Sequence, residues 1–309
     1  MNSLLQPPAT ASLSAQFRNR ISSATVAVCT RNRPVLLQKC LAAVSRLNPG
    51  PKHVLVIDNS EGNDDTRKVS SDYGARYLIE PTRGLCRARN RALAECETEV
   101  LAFLDDDVIP APDWLGQLVE PFSDPRTAAS TGYVATPETL SSDHHMQNRS
   151  LCSQDPHWFE TAAFGSMGLG ANMALRVRSC PRKTFFDERL GRGAPFEIGD
   201  ESYALAALVS QGHRIVYTPS AIVRHPSLTH SSIEREARNA FTYWLLLFSQ
   251  FPGQRTTLLG LLIRRLLGIE PDFPRTVQEP GKVVSRSWVL KITAVLEGLN
   301  LFLRTPKPQ

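Results

Sequence analysis

The chain has 309 residues, of which 42% are hydrophobic and 21% charged, as in a globular protein with one or two cores. Its six cysteines form no C-x-x-C pair, which favours reduced thiols in a cytosol over a zinc site or a disulfide framework. The net charge of +5 comes from residues 226–309, which carry 11 Lys and Arg against 6 Asp and Glu. A neutral body with a basic C-terminal segment argues against a nucleic-acid groove and favours contact between that segment and an anionic surface.

Composition also divides the chain into parts. Residues 1–23 are rich in Ser, Ala, Gln and Pro without a continuous apolar run, which is typical of a disordered leader rather than a signal peptide. No apolar segment reaches the ~18 residues that are needed to span a bilayer. We therefore predict a cytoplasmic protein with a leader over 1–23, a main domain over 24–226 and a helical C-terminal extension over 227–309.

Short apolar runs alternate with amphipathic stretches along the main domain. The predicted strands are Thr25–Cys29, His53–Asp58, Ala75–Ile79, Val100–Leu104, Ala128–Val134, Gly168–Arg176, Ile215–Tyr217 and Ala221–Arg224. The predicted helices are Pro34–Leu47, Asp64–Tyr73, Leu85–Glu95, Trp114–Phe122 and Asp200–Gln211. This alternation predicts an α/β fold with a mostly parallel sheet and helices on both faces.

Two stretches depart from the alternation. Thr136–Gly165 is polar and contains Pro, Ser and His, and a connection of that length predicts a long loop or lid. After Pro226 only helical patterns follow. They cover Ser232–Phe251, Thr256–Leu267 and Trp288–Leu303.

Three consecutive aspartates, Asp105, Asp106 and Asp107, form an aspartate triplet at the end of an apolar run. A buried strand that ends in carboxylates places them where open α/β sheets bind ligands. Neighbouring like charges raise one another's pKa unless a cation offsets them, and carboxylate oxygens suit Mg²⁺ or Mn²⁺ bound together with phosphates. The alternative is an acidic turn that caps the next helix at Asp113.

Polar residues also follow the first two strands. Residues 30–33 read Thr-Arg-Asn-Arg, and residues 58–60 read Asp-Asn-Ser. Each cluster alone could be a turn or a helix cap, but the carboxyl ends of parallel strands share one edge, so with the aspartate triplet they predict a single ligand crevice. The crevice has no G-x-G-x-x-G or Walker-type loop, which argues against dinucleotide oxidoreductases and P-loop enzymes.

Two glycine-containing segments are further candidates. Gly84 precedes a helix that carries Arg87, Arg89 and Asn90, and both helix N-termini and arginine side chains attract phosphate. The alternative is an ordinary surface helix. Gly168 to Asn172 allows close backbone approach beside one amide side chain, and a structural bulge is the alternative.

Acidic residues recur late in the main domain. Glu197, Asp200 and Glu201 lie at or just before a predicted helix, where the helix dipole favours them and where one could act as a general base. His225 ends the last strand. It is a candidate metal ligand if that strand end faces the aspartate triplet, and a structural histidine otherwise.

In this order, these motifs resemble the family two glycosyltransferases, which have the Rossmann-like GT-A fold, over about Thr25 to Pro226. The resemblance implies that the nucleotide of a sugar donor is held by a set of polar residues: Thr30, Arg33, Asp58, Arg89, Asn90, Asp105 and Asp106. It implies that Asn172 lies near the donor sugar and acceptor. It also implies a divalent cation, Mg²⁺ or Mn²⁺, on Asp107, Asp105 and His225.

The family's catalytic G-E-D pattern appears here as Gly199, Asp200 and Glu201, with the two acids exchanged in size. The resemblance implies that one of them is the base, and by position it is Glu201. The implied reaction is direct displacement with inversion, from a nucleotide sugar (UDP-sugar favoured, GDP- or dTDP-sugar as alternatives) to a hydroxyl of a glycan or lipid-linked acceptor. Polysaccharide, glycolipid and other glycoconjugate synthesis are the pathways that fit.

Three other protein classes are alternatives to a glycosyltransferase, and one sequence feature separates each of them from it. A sugar-nucleotide nucleotidyltransferase needs a Gly-rich basic loop after the first strand, and residues 30–33 contain no glycine. A non-catalytic sugar- or metal-binding relative could lose the base, yet both candidate acids are present. An aspartate-nucleophile phosphatase carries its acidic motif after the first strand.

Arg255, Arg264 and Arg265 flank the apolar run at 258–263, which is typical of a basic interfacial helix. Peripheral contact with the inner face of a membrane is therefore one hypothesis for the C-terminal helices. Packing on the main domain, or a dimer interface, is the other.

Overall fold

The structure is a computed structural model and describes residues 24–137, 147–164, 167–181, 184–226, 233–267, 269 and 288–306. The predicted leader lies outside these residues, and so does the central part of the predicted lid. Within the described part, nine strands form one mixed sheet that is flanked by helices.

The first half of the sheet is parallel. Its strands are β1 (Ala24–Thr30), β2 (His53–Asp58), β3 (Arg76–Ile79) and β4 (Val100–Asp105), in the order β3-β2-β1-β4. The connections are the helices α1 (Pro34–Val44), α2 (Asp64–Asp72) and α3 (Leu85–Glu95). Strand β1 is buried along its whole length, as expected for a parallel strand covered on both faces.

The second half of the sheet is mixed. It contains β5 (Ile109–Pro110), β6 (Thr127–Ala135), β7 (Arg149–Leu151), β8 (Asn172–Arg176) and β9 (Arg214–Arg224). Strand β8 pairs antiparallel with β4 and β6, whereas β6 and β9 are parallel. Strands β5 and β7 each pair antiparallel with β9. The helices of this half are α4 (Trp114–Val119), α5 (Trp158–Ala163) and α6 (Asp200–Ser210).

Side chains that alternate along each strand build two core layers. In β1, Ala27 and Cys29 belong to one layer, together with residues of α3 and α6, while Val26 and Val28 belong to the other, with residues of α1 and α4. Each layer excludes water from one face of the sheet, so polar groups reach solvent only at the strand ends.

The C-terminal helices are α7 (Ile233–Gln250), α8 (Arg255–Leu267) and α9 (Trp288–Arg304). Helix α7 packs on the main domain through Tyr243, Leu246 and Leu247, which are buried in the first core layer. In the described part of the chain, no helix has both the length and the apolar character that crossing a membrane requires.

Several element predictions are corrected by the structure. The predicted loop at Thr136–Gly165 contains β7 and α5, because Leu151 and Phe159 enter the core and order their neighbours. The predicted strand from Gly168 begins only at Asn172, and the two predicted strands after residue 214 are one strand with a register shift. The two-residue strand β5 was missed, since two residues are too few to show an alternation of apolar and polar side chains.

Candidate functional site

The polar clusters predicted to share an edge do share it. Thr30 pairs in register with Asp58, and Cys29 pairs with Asp105, so β1, β2 and β4 all end at the same level. Parallel alignment of three buried strands therefore brings their terminal polar residues together, as at the switch point of other open α/β sheets.

Asp106 is the inward carboxylate of the aspartate triplet. It accepts a hydrogen bond from the Thr30 hydroxyl at 2.6 Å and one from Arg33 Nη1 at 3.1 Å. Burial raises its pKa, while these two donors oppose the rise. Asp106 therefore fastens the triplet to the β1 loop, and its oxygens are engaged by protein.

Asp107 is turned toward the last strand. Its Oδ1 lies 3.4 Å from His225 Nε2, and its Oδ2 accepts from Arg33 Nη1 at 3.2 Å. The hydrogen bond from His225 lowers the pKa of Asp107, and the same bond raises the pKa of His225. The predicted condition for His225 as a ligand, that its strand end faces the triplet, is met.

The donor set at this edge fits a hard divalent cation. Within the described residues, no three His, Cys, Asp or Glu side chains form a complete metal cluster. The carboxylates of Asp107 and Asp105 nevertheless match Mg²⁺ or Mn²⁺ sites, in which one or two carboxylates leave the remaining positions to substrate phosphates and water. The imidazole of His225 lies beside Asp107. The predicted helix-cap alternative has no such support, because Asp113 makes no side-chain cap hydrogen bond to α4.

Arg89 connects the triplet to the second acidic cluster. Its guanidinium is buried, lies 3.8 Å from Asp105 Oδ1 and donates a short hydrogen bond to Asp200. The rings of Phe103 and Phe186 lie 5.9 and 5.6 Å from the guanidinium carbon and hold the group in place. Sequence reasoning assigned Arg89 to the nucleotide, but the structure gives it two carboxylate partners inside the protein.

The acidic pair, Asp200 and Glu201, begins helix α6. Asp200 is buried against Arg89, whereas Glu201 keeps part of its surface exposed. Burial raises the pKa of Glu201, the neighbouring Asp200 carboxylate raises it further, and Arg89 opposes both. Two carboxylates thus share one guanidinium, and Glu201 is the member that is driven toward the protonated form.

Asp58 is fully buried behind the crevice. It accepts hydrogen bonds from the hydroxyls of Ser60 and Tyr77, each at 2.7 Å. Tyr77 was not among the predicted residues, because no motif marks the middle of a short strand. A direct contact between Asp58 and a nucleotide stays a prediction.

Two predicted amide residues hold the scaffold of the site. Asn90 exchanges two hydrogen bonds of 2.9 Å with the backbone of Phe186. Asn172 is fully buried; it accepts from Trp114 Nε1 at 2.8 Å and donates to the carbonyls of Tyr133 and Ala221. Both N–H groups of Asn172 are thus engaged by protein, and its contact with a donor sugar stays a prediction.

Arg192 was missed by the sequence reasoning. It is exposed. Its positive charge opposes the burial that raises the pKa of Asp105, and it adds to the hydrogen bond from His225 that lowers the pKa of Asp107. The available signal was the Gly-Arg-Gly order of residues 191–193, since both glycines adopt positive φ angles.

With the geometry established, comparison with known proteins identifies the family. The model of the family described as "Glycosyl transferase family 2" matches residues 25–180, about half of the chain. The chain belongs to glycosyl transferase family 2. The resemblance deduced from the motifs is confirmed.

Curated relatives of this family 2 member are distant in sequence. An N-acetylglucosaminyltransferase from Rhizobium leguminosarum bv. viciae is 23% identical over 76% of this chain and 59% of its own length. A pre-mycofactocin glycosyltransferase from Mycobacterium tuberculosis is 27% identical over 66% of this chain and 43% of its own. The chain thus spans about half of the length of these relatives.

Solved structures share the fold. A Pyrobaculum calidifontis mannosyltransferase in complex with GDP-Man and Mn²⁺ aligns with a TM-score of 0.56 and 16% identity, over 90% of this chain and 73% of the other. TarS from S. aureus in complex with UDP aligns with a TM-score of 0.57 and 14% identity, over 80% and 72%. The predicted GT-A fold, a mixed sheet flanked by helices, is confirmed.

Proposed function

We propose that this glycosyltransferase moves a sugar from a nucleotide-sugar donor to an acceptor hydroxyl, with inversion at the anomeric carbon. The observation that carries the proposal is the position of Arg89, whose single guanidinium contacts both Asp105 of the aspartate triplet and Asp200 of the acidic pair. Glycosyl transfer to a hydroxyl needs a general base and a group that neutralises the charge of the leaving group. The acidic pair can supply the base, and a cation at the aspartate triplet can neutralise the charge.

Glu201 is the proposed base. Its raised pKa suits proton transfer near neutral pH, because a general base works best when its pKa lies close to the operating pH. It accepts the proton of the acceptor hydroxyl, and the oxygen then attacks the anomeric carbon from the face opposite the nucleotide. Asp200 keeps its ion pair with Arg89 and positions the start of α6.

Asp107 and His225 would hold Mg²⁺ or Mn²⁺, with Asp105 beside them. When bound, the cation supplies neutralisation of the charge on the departing diphosphate. Thr30, Arg33 and Asp106 would contribute to donor binding mainly by holding the aspartate triplet in position.

UDP-sugar is the favoured donor, with GDP- and dTDP-sugars as alternatives; similar folds are recorded with UDP, UDP-GlcNAc and GDP-Man. Calorimetric titration of UDP, GDP and dTDP, with and without Mn²⁺, tests the donor site. We expect one nucleotide to bind in a metal-dependent way, and Asp107→Ala to abolish that dependence. The matched control is Asp113→Ala, at an exposed aspartate that caps nothing and should bind like wild type.

If no nucleotide binds, or if binding ignores both Mn²⁺ and the Asp107 substitution, the transferase proposal fails. A non-catalytic sugar-binding relative would then be the better interpretation.

We further propose that the C-terminal helices contact an anionic membrane surface, which would bring a lipid-linked acceptor to the site. Helix α8 contains three arginines and no acidic residue, and it exposes Leu259, Ile263 and Leu267 along one stripe. An exposed aliphatic stripe with flanking arginines is the pattern of interfacial helices.

Co-sedimentation with phosphatidylserine-containing vesicles at low salt tests this contact, with pure phosphatidylcholine vesicles for comparison. Binding should depend on the anionic lipid and weaken in Ile263→Gln. Equal behaviour toward both vesicles would contradict it and favour a dimer interface on the same stripe.

A further inference from the structure

Tyr243 of helix α7 reaches from the C-terminal extension to the start of the acidic pair. Its ring covers Gly199, the residue directly before Asp200: a Cβ placed at Gly199 would lie 2.5 Å from Cε2 and 2.6 Å from Cδ2 of that ring. Such separations are too short for any real side chain. Tyr243 therefore lies directly against the backbone from which the acidic pair extends.

The tyrosine is also fixed at its other end. Its hydroxyl donates a buried hydrogen bond of 2.9 Å to the carbonyl of Ala163, the last residue of α5. The ring of Phe164 meets it edge to face, with centroids 6.4 Å apart. Because both the ring and the hydroxyl of this buried side chain are engaged, Tyr243 is a fixed support for its neighbours.

Gly199 sets the direction in which helix α6 begins. It precedes the helix with a φ of +81°, and its carbonyl accepts the first helical hydrogen bond, from Tyr203 N at 2.9 Å. Asp200 and Glu201 follow immediately, so a shift of Gly199 would move both carboxylates together. The N–H groups of a first turn have no partners within the helix, so contacts from outside fix its position.

The acidic pair is thus held from two sides by different parts of the chain. Arg89, from α3, binds the carboxylate of Asp200, whereas Tyr243, from α7, supports the backbone that precedes it. The electrostatics agree with the short separation. Burial raises the pKa of Tyr243, and the negative charges of Glu201 and Asp200 raise it further.

We propose that Tyr243 is a positioning residue for the acidic pair, so that helix α7 forms one wall of the catalytic site. The proposal rests on the proposed function and gives the C-terminal extension a part in it. Glu201 can take a proton from an acceptor hydroxyl only from hydrogen-bond distance, and small misplacements cost large factors in rate. The alternative is that Tyr243 only packs, which would affect the free energy of unfolding and leave the folded enzyme unchanged.

Turnover and nucleotide binding in Tyr243→Leu and Tyr243→Phe separate positioning from packing. Turnover is measured as release of nucleoside diphosphate from UDP-glucose, UDP-GlcNAc and GDP-mannose in Mn²⁺, with water as the acceptor. Tyr243→Leu should lower kcat about 10²-fold, while calorimetry of UDP and GDP should give wild-type affinity. Tyr243→Phe keeps a ring against Gly199 and should recover most of that loss.

An NMR titration of the same proteins follows the acidic pair without any substrate, so it decides the question even where water is a poor acceptor. With ¹³C-labelled glutamate carboxyls, the Glu201 signal is the one that disappears in Glu201→Gln. The pKa of Glu201 should fall toward its ordinary value in Tyr243→Leu, because the smaller side chain admits water, and should keep its wild-type value in Tyr243→Phe. In wild type, the Tyr243 ring signals should shift together with the Glu201 titration, and Overhauser contacts should join the ring to Gly199.

Trp244→Phe is the matched control. Trp244 is the next residue of α7 and also donates to a backbone carbonyl, from Nε1 to Leu258 at 3.0 Å, but this bond joins α7 to α8. The variant should match wild type in turnover, nucleotide affinity and the pKa of Glu201. Urea denaturation of every variant corrects each rate for the unfolded fraction.

Three results would overturn the inference and leave the proposed function intact. Wild-type kcat and Glu201 titration in Tyr243→Leu would show that Tyr243 only packs. If that variant does not fold, wild-type spectra that lack the contacts between Tyr243 and Gly199, or ring signals that ignore the Glu201 titration, would show the same. Equal losses in Trp244→Phe would assign the effect to the C-terminal helices in general. If wild type binds neither UDP nor GDP with Mn²⁺, the proposed function itself fails, and the inference fails with it.

Discussion

The two acidic clusters of the site differ in how their charges are compensated. In the aspartate triplet two arginines and a histidine serve three carboxylates: Arg89 contacts Asp105, Arg33 contacts Asp106 and Asp107, and His225 contacts Asp107. In the acidic pair, Arg89 is the positive charge that the described residues place beside both Asp200 and Glu201. Three positively charged side chains around three carboxylates favour ionised groups that can hold a cation, whereas two carboxylates beside one arginine leave one of them ready to take a proton.

The largest expected effect comes from removing the proposed base. Glu201→Gln keeps the size of the side chain but cannot accept a proton, so kcat should fall about 10²–10⁴-fold. Nucleotide affinity measured by calorimetry should not change. The control is Glu188→Gln, at a carboxylate that pairs with Arg87 outside the acidic pair. If Glu201→Gln retained wild-type turnover and Asp200→Asn did not, the assignment within the pair would be reversed.

Replacing Arg89, which contacts both acidic clusters, should mainly lower the free energy of unfolding. Arg89→Met leaves Asp200 buried without its partner, and breaking a buried pair in this way costs about 3–5 kcal/mol. Urea denaturation followed by circular dichroism measures the loss. Arg87→Met, at a partly exposed pair on the same helix, should cost less than about 1 kcal/mol. Equal losses in the two variants would contradict a central role for Arg89.

The acidic pair also depends on the C-terminal extension. Gly199 has a φ of +81°, and a Cβ there would lie 2.5 Å from the ring of Tyr243 in α7. Gly199→Ala should therefore cost about 1–3 kcal/mol more than Gly212→Ala, which has a similar φ of +87° and nothing within 4 Å. Denaturant titration of both variants measures the two losses in free energy of unfolding. Their difference is the cost of the contact with Tyr243, because both variants place alanine at a similar φ. Equal losses would mean that α7 does not restrict the side chain at position 199.

The smallest expected effect is a shift of the pH profile. The folded pKa of Glu201 lies above the ordinary glutamate value of about 4.3, so kcat should fall as pH drops through that raised pKa. The folded state binds the Glu201 proton more tightly than the unfolded state does. The stabilisation of the fold by this protonated carboxyl is therefore fully present below the ordinary pKa of about 4.3. It is lost as pH rises through the raised folded pKa.

Asp200→Asn removes the neighbouring negative charge that raises this pKa. The acidic limb of the kcat profile should then move to lower pH. A limb that stays in place or moves upward would show that the two carboxylates are not coupled.

Much of the fold and of the candidate site could be predicted, for a reason visible in particular residues. Strands β1, β2 and β4 are continuous apolar runs that end abruptly in Thr30, Asp58 and Asp105, so alternation with helices already places those residues on one edge. The short elements β5, β7 and α5 were missed, because segments of this length show no clear hydrophobic period. Contacts with residues far away in the chain hold them in place.

The α/β class, the common edge of the polar clusters and the family all follow from the amino-acid sequence, because hydrophobic period and motif order are local properties of the chain. The role of each polar group is set instead by its contacts in the folded protein. The fold buries Asn172 among backbone carbonyls, joins Arg89 to Asp200, and packs Tyr243 against Gly199. These outcomes depend on packing between residues far apart in the chain, and packing decides which charges meet, which stay in water and which carboxylate keeps its proton.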